Sequence, residues 1–212
     1  MKIALAFYGQ PRYVKNEHIL KSYKKYFLDR YECDVFAHMW WGDPVKYDTS
    51  SWNNCVGEMI SPDSLDFFKK NYNPIKLKTE EPRNFEFDNH VKKFIDEKFT
   101  GKRHCPKNGQ IWCQRNYSNL MSHLHSMQES SRIVSEYADN TNIKYDFIVL
   151  ARYDTILFDV PDLHECDKEK LYLPCHHGRF PDVVMFCSHK HLAWSGNLFD
   201  DISKVYDRID TP

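Results

Sequence analysis

The feature that most constrains the fold is a short apolar run that ends abruptly at charged residues. Phe147 to Ala151 is apolar and mostly branched, long enough for a strand buried on both faces and too short for a typical helix. The run stops at Arg152-Tyr153-Asp154, and alternation along an extended chain puts Arg152 and Asp154 on the same side. Open parallel sheets bind ligands at the carboxyl ends of their strands. We therefore predict the functional site at this strand end.

Along the rest of the chain, short apolar runs typical of strands alternate with longer segments that have helical periodicity. A first strand is predicted at 2–8, ended by the loop Gly9-Gln10-Pro11-Arg12, and a helix at 15–30, where apolar side chains recur at three- and four-residue spacing. Ser61-Pro62-Asp63 predicts a helix start with serine as the cap and proline in the first turn. The other predicted strands are 33–38, 74–79, 171–174 and 183–187, the other predicted helices are 63–72, 88–99, 110–138 and 191–209, and 39–60 is predicted to be a long loop.

This alternation predicts an α/β fold with a mostly parallel central sheet, helices on both faces and right-handed crossovers. A single domain over 1–212 is the simplest account. In a sheet of strand order 3-2-1-4, the first and fourth strands are neighbours and the chain reverses its direction of travel between them. The ligand crevice then lies between the Gly9 loop and residues 152–154. Two features far apart in the sequence are thereby predicted to meet.

The composition narrows the classes of function. The 29 Lys and Arg nearly balance the 30 Asp and Glu, so the basic excess of a nucleic-acid binder is missing. No apolar run reaches the roughly 18 residues needed to span a bilayer. The start of the chain is apolar only from Ile3 to Tyr8, so we interpret it as a strand and not as a signal peptide. These observations predict a cytoplasmic protein without a membrane span.

The seven cysteines include no Cys-x-x-Cys pair, and in a cytoplasmic protein they are expected to be reduced. A zinc site in the C-terminal part is an alternative, although the spacing fits no zinc signature. Its candidate ligands are Cys175, His176, His177, Cys187, His189 and His191.

The predicted crevice lacks the two common phosphate-binding motifs. The Gly9 loop is neither a Gly-x-Gly-x-x-Gly fingerprint nor a phosphate loop of the Gly-x-x-x-x-Gly-Lys-Ser/Thr type. Gly9 allows close approach of a base or ribose, or it is a simple turn glycine. Asp154 is suited to a hard divalent cation such as Mg²⁺ or Mn²⁺ that also binds substrate phosphates. Asp159 and Asp162 are weaker candidates, because Pro161 indicates a turn between them.

Three of these features together resemble a known family. They are the opening strand ended by Gly9-Gln10-Pro11-Arg12, a long helix with Gln114, Arg115 and Ser118, and the strand that ends at Arg152-Tyr153-Asp154. Over nearly the whole chain this arrangement resembles the GT-A-fold glycosyltransferases, most of all the small virus-encoded group typified by the N-terminal domain of a chlorella-virus glycosyltransferase. The resemblance implies a Rossmann-like GT-A fold with a nucleotide-binding part at 1–155 and a sugar and acceptor part at 156–212.

The resemblance also implies a donor site. In that fold an Asp-x-Asp motif binds the donor, and its last Asp holds the metal that bridges the diphosphate. The corresponding residues are Arg152-Tyr153-Asp154, so Asp154 is the implied Mn²⁺ or Mg²⁺ ligand. Arg152 departs from the pattern and is expected to pair with phosphate or to buttress Asp154. The implied donor-binding residues are Phe7, Tyr8, Gly9, Gln10, Arg12, Arg115, Arg152 and Asp154, with a plain surface position as the alternative for Arg115.

Inverting transfer needs a base for the acceptor hydroxyl, and Asp182 is the candidate, with sugar binding or a turn cap as its alternatives. The implied activity is metal-assisted transfer of a hexose or deoxyhexose from a UDP- or dTDP-sugar to a glycan acceptor. His176 and His177 are further candidates for acid-base work or metal binding. Trp40, Trp41 and Trp52 are candidates for stacking on the acceptor, with core packing as their alternative.

Two other classes of function stay open. One is a non-catalytic nucleotide-sugar or glycan-binding module of the same fold, and the other is a zinc-dependent hydrolase built on the His- and Cys-rich C-terminal part. The end at Asp210-Thr211-Pro212 is compatible with a domain cut from a longer polypeptide. Further domains of that polypeptide would then be partners, and a viral origin would place the protein in the host cytoplasm.

Overall fold

The computed structural model of the protein describes residues 1–42, 60–86, 109–173 and 183–201, with side chains omitted at 109–116 and at Trp194. A sheet of five strands lies at its centre in the order β3-β2-β1-β4-β5. The first four strands pair in parallel, and β5 pairs antiparallel to β4. The strands are β1 (Lys2–Tyr8), β2 (Glu32–Trp40), β3 (Lys76–Glu80), β4 (Phe147–Arg152) and β5 (Val184–Cys187). The predicted α/β class, the mostly parallel sheet and the 3-2-1-4 strand order are confirmed.

In the described part of the chain, three α-helices accompany the sheet: α1 (Glu17–Tyr23), which continues as a π-helical turn to Leu28, α2 (Ser64–Tyr72) and α3 (Gly109–Thr141). Asn16 caps α1, because its side-chain oxygen accepts a hydrogen bond from the backbone N–H of His18. Asn73 ends α2 in the left-handed conformation, with φ of 44°. Short 3-10 helices follow at Leu163–Glu165 and His189–Asn197.

Helices α1 and α2 cover one face of the sheet through an aromatic cluster around Phe7. The Phe7 ring meets Tyr23, Phe68 and Tyr72 edge-on at centroid distances of 4.9, 5.5 and 5.1 Å. It also stacks on the Tyr153 ring at 5.3 Å, just beyond the end of β4. Burying a side chain of this size contributes about 1.5–3 kcal/mol. Because the cluster joins α1, α2, β1 and the end of β4, it fixes the strand end on which the predicted site depends.

The part of α3 from Ser126 onward covers the other face. Ser130 Oγ donates to the carbonyl oxygen of Phe7 at 2.9 Å, and the rings of Phe36 and Tyr137 meet at 5.3 Å. Small serine side chains at 126 and 130 allow the helix to approach the strands closely enough for hydrogen bonds to the β1 backbone. The prediction of helices on both faces is therefore confirmed.

The chain divides into two compact units. One comprises Met1–Pro82 and Ser126–Gly196 and contains the whole sheet, and the other comprises Arg83–His125 and Asn197–Pro212. Within the second unit, the backbone N–H of Phe85 donates to Ser118 Oγ at 2.9 Å. The Phe85 ring lies 6.0 Å from His125 and 5.6 Å from Phe199, centroid to centroid.

Several predicted boundaries are wrong. Met39 and Trp40 belong to β2 and not to the predicted loop, because the Trp40 N–H donates to the Gly9 carbonyl and the Trp41 N–H donates to the Glu80 carbonyl. Ser61 does not cap α2: its hydroxyl donates to Asp63 in a turn before the helix. The strand predicted at 171–174 is reduced to one bridge between Tyr172 and Phe186. The helix predicted from His191 begins in a 3-10 helix, and the helix predicted at 88–99 lies outside the described residues.

Candidate functional site

The Gly9 loop follows β1 at the carboxyl edge of the sheet. Gly9 has a φ of +101°, a conformation that residues with a Cβ rarely adopt. Its N–H donates to Ser126 Oγ at 2.7 Å, and its carbonyl accepts from the Trp40 N–H at 3.0 Å. The loop is therefore held to β2 and α3 through the Gly9 backbone. Of the two alternatives for this glycine, the turn role is the one visible in the contacts.

Gln10 and Arg12 form the half-buried outer part of this loop. The Arg12 Nε donates to Gln10 Oε1 at 2.8 Å, and the Arg12 backbone N–H donates to the Gln10 carbonyl at the same distance. The loop thus presents a guanidinium group that is already oriented. A guanidinium is suited to binding a phosphate through paired hydrogen bonds.

Phe7 and Tyr8 are both fully buried, on opposite faces of the sheet. The Phe7 ring belongs to the aromatic cluster, and its carbonyl accepts from Ser130. The two side chains that were expected to line a nucleotide pocket are thus core side chains. Their contribution to the site is to hold the strand end from which the Gly9 loop departs.

Arg152 and Asp154 form a two-point ion pair at the end of β4. The Arg152 Nε donates to Asp154 Oδ1 at 2.9 Å, and the terminal nitrogen Nη2 donates to Oδ2 at 2.7 Å. The two side chains are 30% and 17% exposed, so the pair is partly shielded from water. The prediction that they share one side of the strand is confirmed. Arg152 was expected either to pair with phosphate or to buttress Asp154, and the structure shows the contact with Asp154.

The backbone around this pair is held on both sides. The Tyr23 hydroxyl donates to the Arg152 carbonyl at 2.9 Å, and the Arg152 N–H donates to the Val183 carbonyl at 2.9 Å. Between the two charges, the Tyr153 hydroxyl donates to the His38 carbonyl at 3.0 Å. Burial raises the pKa of the Tyr23 and Tyr153 phenols well above the ordinary value, so both stay protonated as donors.

A buried polar cluster bonded to the Gly9 loop was missed at the sequence level. His38 is fully buried in β2, and its Nδ1 lies 2.6 Å from Ser126 Oγ, the oxygen that accepts from Gly9. Because the Gly9 N–H already donates to that oxygen, we assign the Ser126 hydroxyl as the donor and His38 Nδ1 as the acceptor. In this tautomer the ring proton is on Nε2, which lies 3.5 Å from Glu80 Oε1. In the sequence, the feature that could have indicated this cluster is His38 itself, a histidine inside the apolar run from Val35 to Trp40.

The cluster continues outward through ion pairs. Lys78 Nζ lies 2.7 Å from Glu80 and 2.6 Å from Glu129 on α3. Desolvation lowers the pKa of Lys78, but its hydrogen bonds to Glu129 and Glu80 outweigh this effect and raise the pKa overall. Arg132 also pairs with Glu129, at 3.5 Å, so Lys78 and Arg132 together balance the two glutamates. This charge balance suits a structural support for the Gly9 loop.

Asp154 carries the kind of oxygen ligands that a hard divalent cation prefers. Both oxygens accept from the Arg152 guanidinium, at 2.9 and 2.7 Å, so the charge of the carboxylate is balanced by arginine in the contacts shown. It is the only carboxylate between Phe147 and Phe158. A cation held there needs further oxygens from a bound diphosphate, as is common for Mg²⁺.

The other candidates divide into two groups. Asp162 is structural: its side chain accepts from the His164 N–H and pairs with Arg30 at 2.7 Å, while Asp159 is exposed. The His164 bond is the main reason that the pKa of Asp162 is lowered. The Arg115 side chain and residues Trp52, Cys175, His176, His177 and Asp182 lie outside the described part of the chain.

A cavity of about 610 Å³ lies at the opposite, amino edge of the sheet. Ion pairs line it: Asp146 Oδ1 lies 2.5 Å from Lys168 Nζ, and Glu169 pairs with Lys190. The hydrogen bond from Lys168 lowers the pKa of Asp146. Open parallel sheets bind ligands at the other edge. The Gly9 loop and the Arg152–Asp154 pair therefore remain the candidate site.

No protein-family model matches the chain, and no curated protein matches it at significant similarity. Among the described residues, no helix is both long and apolar enough to cross a membrane.

Proposed function

We propose that the protein is a nucleotide-sugar glycosyltransferase that transfers a hexose or deoxyhexose from a UDP- or dTDP-sugar to a glycan acceptor. The observation that carries the proposal is the adjacency of β1 and β4, in which Tyr8 pairs with Arg152. That register brings the Gly9 loop beside the Arg152–Asp154 pair, at the edge where open α/β sheets bind nucleotides. The resemblance to GT-A-fold enzymes supplies the reaction class.

In this proposal the chain's own residues hold the donor. Arg12 and Arg152 supply guanidinium groups for the diphosphate, and the bond of the Gly9 N–H to Ser126 holds the loop that carries Arg12. Two guanidinium groups are suited to the charge that develops on a departing diphosphate. Asp154 would hold Mn²⁺ or Mg²⁺, and such a cation, when bound, neutralises leaving-group charge. Asp182 is the proposed base that removes the acceptor proton.

The test is donor binding followed by turnover. In a thermal unfolding screen of UDP- and dTDP-sugars with Mn²⁺, a donor at about 100 times its Kd should stabilise the folded protein by about 2.7 kcal/mol. The same donor should then be hydrolysed or transferred. Asp154→Asn should lower turnover by about 100-fold or more, as expected when a group that stabilises transition-state charge is lost.

Asp159→Asn is the matched control, because Asp159 is an exposed aspartate five residues further along the chain. It should leave both donor binding and turnover unchanged. Stabilisation by no nucleotide sugar would contradict the proposal. Donor binding without turnover toward any acceptor would instead support the non-catalytic binding module.

A further inference from the structure

The Arg152 guanidinium and the proposed cation compete for the same two oxygens. Nε and Nη2 of Arg152 each donate to a different Asp154 oxygen, at 2.9 and 2.7 Å. A carboxylate engaged at both oxygens by a guanidinium binds a divalent cation less tightly, because two positive groups then share one negative charge. Departure of Arg152 therefore strengthens Asp154 as a metal ligand.

The Arg152 side chain can move without disturbing the strand end. Its backbone N–H and carbonyl are bonded to Val183 and Tyr23, and the next residue is fixed by the Tyr153 bond to His38. The side chains of the ion pair remain partly exposed, at 30% and 17%. Exchange can thus proceed by rotation of the arginine side chain while its backbone stays in place.

A diphosphate offers Arg152 an equivalent partner. Phosphate oxygens accept paired hydrogen bonds from a guanidinium with the same geometry as a carboxylate. We propose that Arg152 is a donor-linked gate over Asp154: it neutralises Asp154 in the free protein and exchanges to the diphosphate when a nucleotide binds. Asp154 is then released for the cation. This inference rests on the proposed function, because it requires a nucleoside diphosphate at the carboxyl edge.

The gate makes a quantitative prediction about coupling. Mn²⁺ alone should bind the wild-type protein weakly, and UDP and Mn²⁺ should strengthen each other's binding by the same factor, about tenfold. The probes are Mn²⁺ followed by electron paramagnetic resonance and UDP followed by calorimetry, with Mn²⁺–UDP association in buffer subtracted. Uridine, which lacks the diphosphate, should show no coupling.

Arg152→Met removes the gate. Mn²⁺ should then bind about tenfold more tightly in the absence of nucleotide, and the coupling with UDP should fall by the same factor, to the part that comes from direct ligation of Mn²⁺ by the diphosphate. Adding Asp154→Asn should abolish that binding. Arg152→Lys, whose ammonium is a point charge without the paired geometry, should give an intermediate affinity and serves as the milder variant should the Met variant fold poorly by circular dichroism.

Two controls identify the site. Arg30 also pairs with an aspartate, Asp162, at 2.7 Å, so Arg30→Met is the matched loss of an arginine and should leave Mn²⁺ affinity unchanged. Glu80→Gln tests the carboxylate beside His38 and should also have no effect. If UDP binds the wild type but Arg152→Met leaves the Mn²⁺ affinity in the absence of nucleotide unchanged, the gate is wrong, whatever coupling UDP and Mn²⁺ show. If UDP does not bind with or without Mn²⁺, the proposed function itself fails.

Discussion

At the residue scale, a glycine is required at position 9 because of its backbone conformation and not because a larger side chain would lack space. Its φ is +101°, yet a Cβ added there would meet no atom within 4 Å. Gly9→Ala should therefore cost about 1–2 kcal/mol, from the left-handed backbone alone. Gly196 has equally open surroundings without a positive φ, so Gly196→Ala is the matched control and should be neutral or slightly stabilising. Urea unfolding of both variants checks this, and equal costs would contradict the conformational explanation.

Ser126 is the residue that joins the Gly9 loop to the buried His38. Its hydroxyl oxygen accepts from the Gly9 N–H and lies 2.6 Å from His38 Nδ1. Ser126→Ala removes a partner from two groups at once, and should lower the free energy of unfolding by about 1–3 kcal/mol. It should also weaken nucleotide binding, because the loop loses its bond to α3.

Ser130→Ala is the comparison for Ser126→Ala. Ser130 lies one helical turn later and donates a single bond, to the Phe7 carbonyl. Its loss should cost about 1 kcal/mol and should leave nucleotide binding unchanged. Unfolding in urea and calorimetric titration with UDP separate the two serines. Equal effects on UDP binding would show that Ser126 has no special part in holding the loop.

At the scale of elements, the positions of β1 and β4 followed from the sequence because strands buried on both faces leave a strong apolar signal, while the strand order came from the doubly wound arrangement assumed for alternating strands and helices. β1 and the run from Phe147 to Ala151 are buried throughout except at Lys2. What the pattern could not supply was contact between distant side chains. The two-point ion pair of Arg152 with Asp154 depends on the side-chain conformations of both residues, and the bond between His38 and Ser126 joins residues 88 positions apart. Likewise, Tyr172 resembles a strand residue but forms only one bridge.

Helix α2 is attached to the sheet chiefly through one face. Phe68 is fully buried and meets Phe7 at 5.5 Å and Tyr153 at 5.3 Å, centroid to centroid. Phe68→Ala should cost about 3–5 kcal/mol, because a large cavity opens in the aromatic cluster. Phe67, its half-buried neighbour on the same helix, is the control, and Phe67→Ala should cost clearly less. Denaturant unfolding of the two variants measures the difference, and equal costs would mean that the cluster does not hold α2.

At the scale of the whole molecule, buried phenols set an alkaline limit on stability. Tyr153 is fully buried, and burial raises its pKa well above 10.0, as it does for Tyr23. In the unfolded chain a tyrosine ionises near pH 10, so above that pH the unfolded state releases a proton that the folded state keeps. The stabilisation is fully present below about pH 10 and is lost as the pH rises toward the folded-state pKa, by about 1.4 kcal/mol per pH unit for each such phenol.

Tyr153→Phe isolates one of these phenols while keeping the ring that stacks on Phe7. Near pH 8 the variant should be less stable than the wild type by about 1 kcal/mol, because the His38 carbonyl loses its donor. Between pH 8 and pH 11.5 the wild type loses about 2 kcal/mol of stability through the Tyr153 phenol, and the variant, which lacks this phenol, does not. The difference in stability between the two proteins should therefore close or reverse near pH 11.5. Urea unfolding of both proteins across this range measures the gap. A gap that stays constant with pH would mean that Tyr153 ionises as readily in the folded protein as in the unfolded chain, which would contradict its burial at the strand end that carries Arg152 and Asp154.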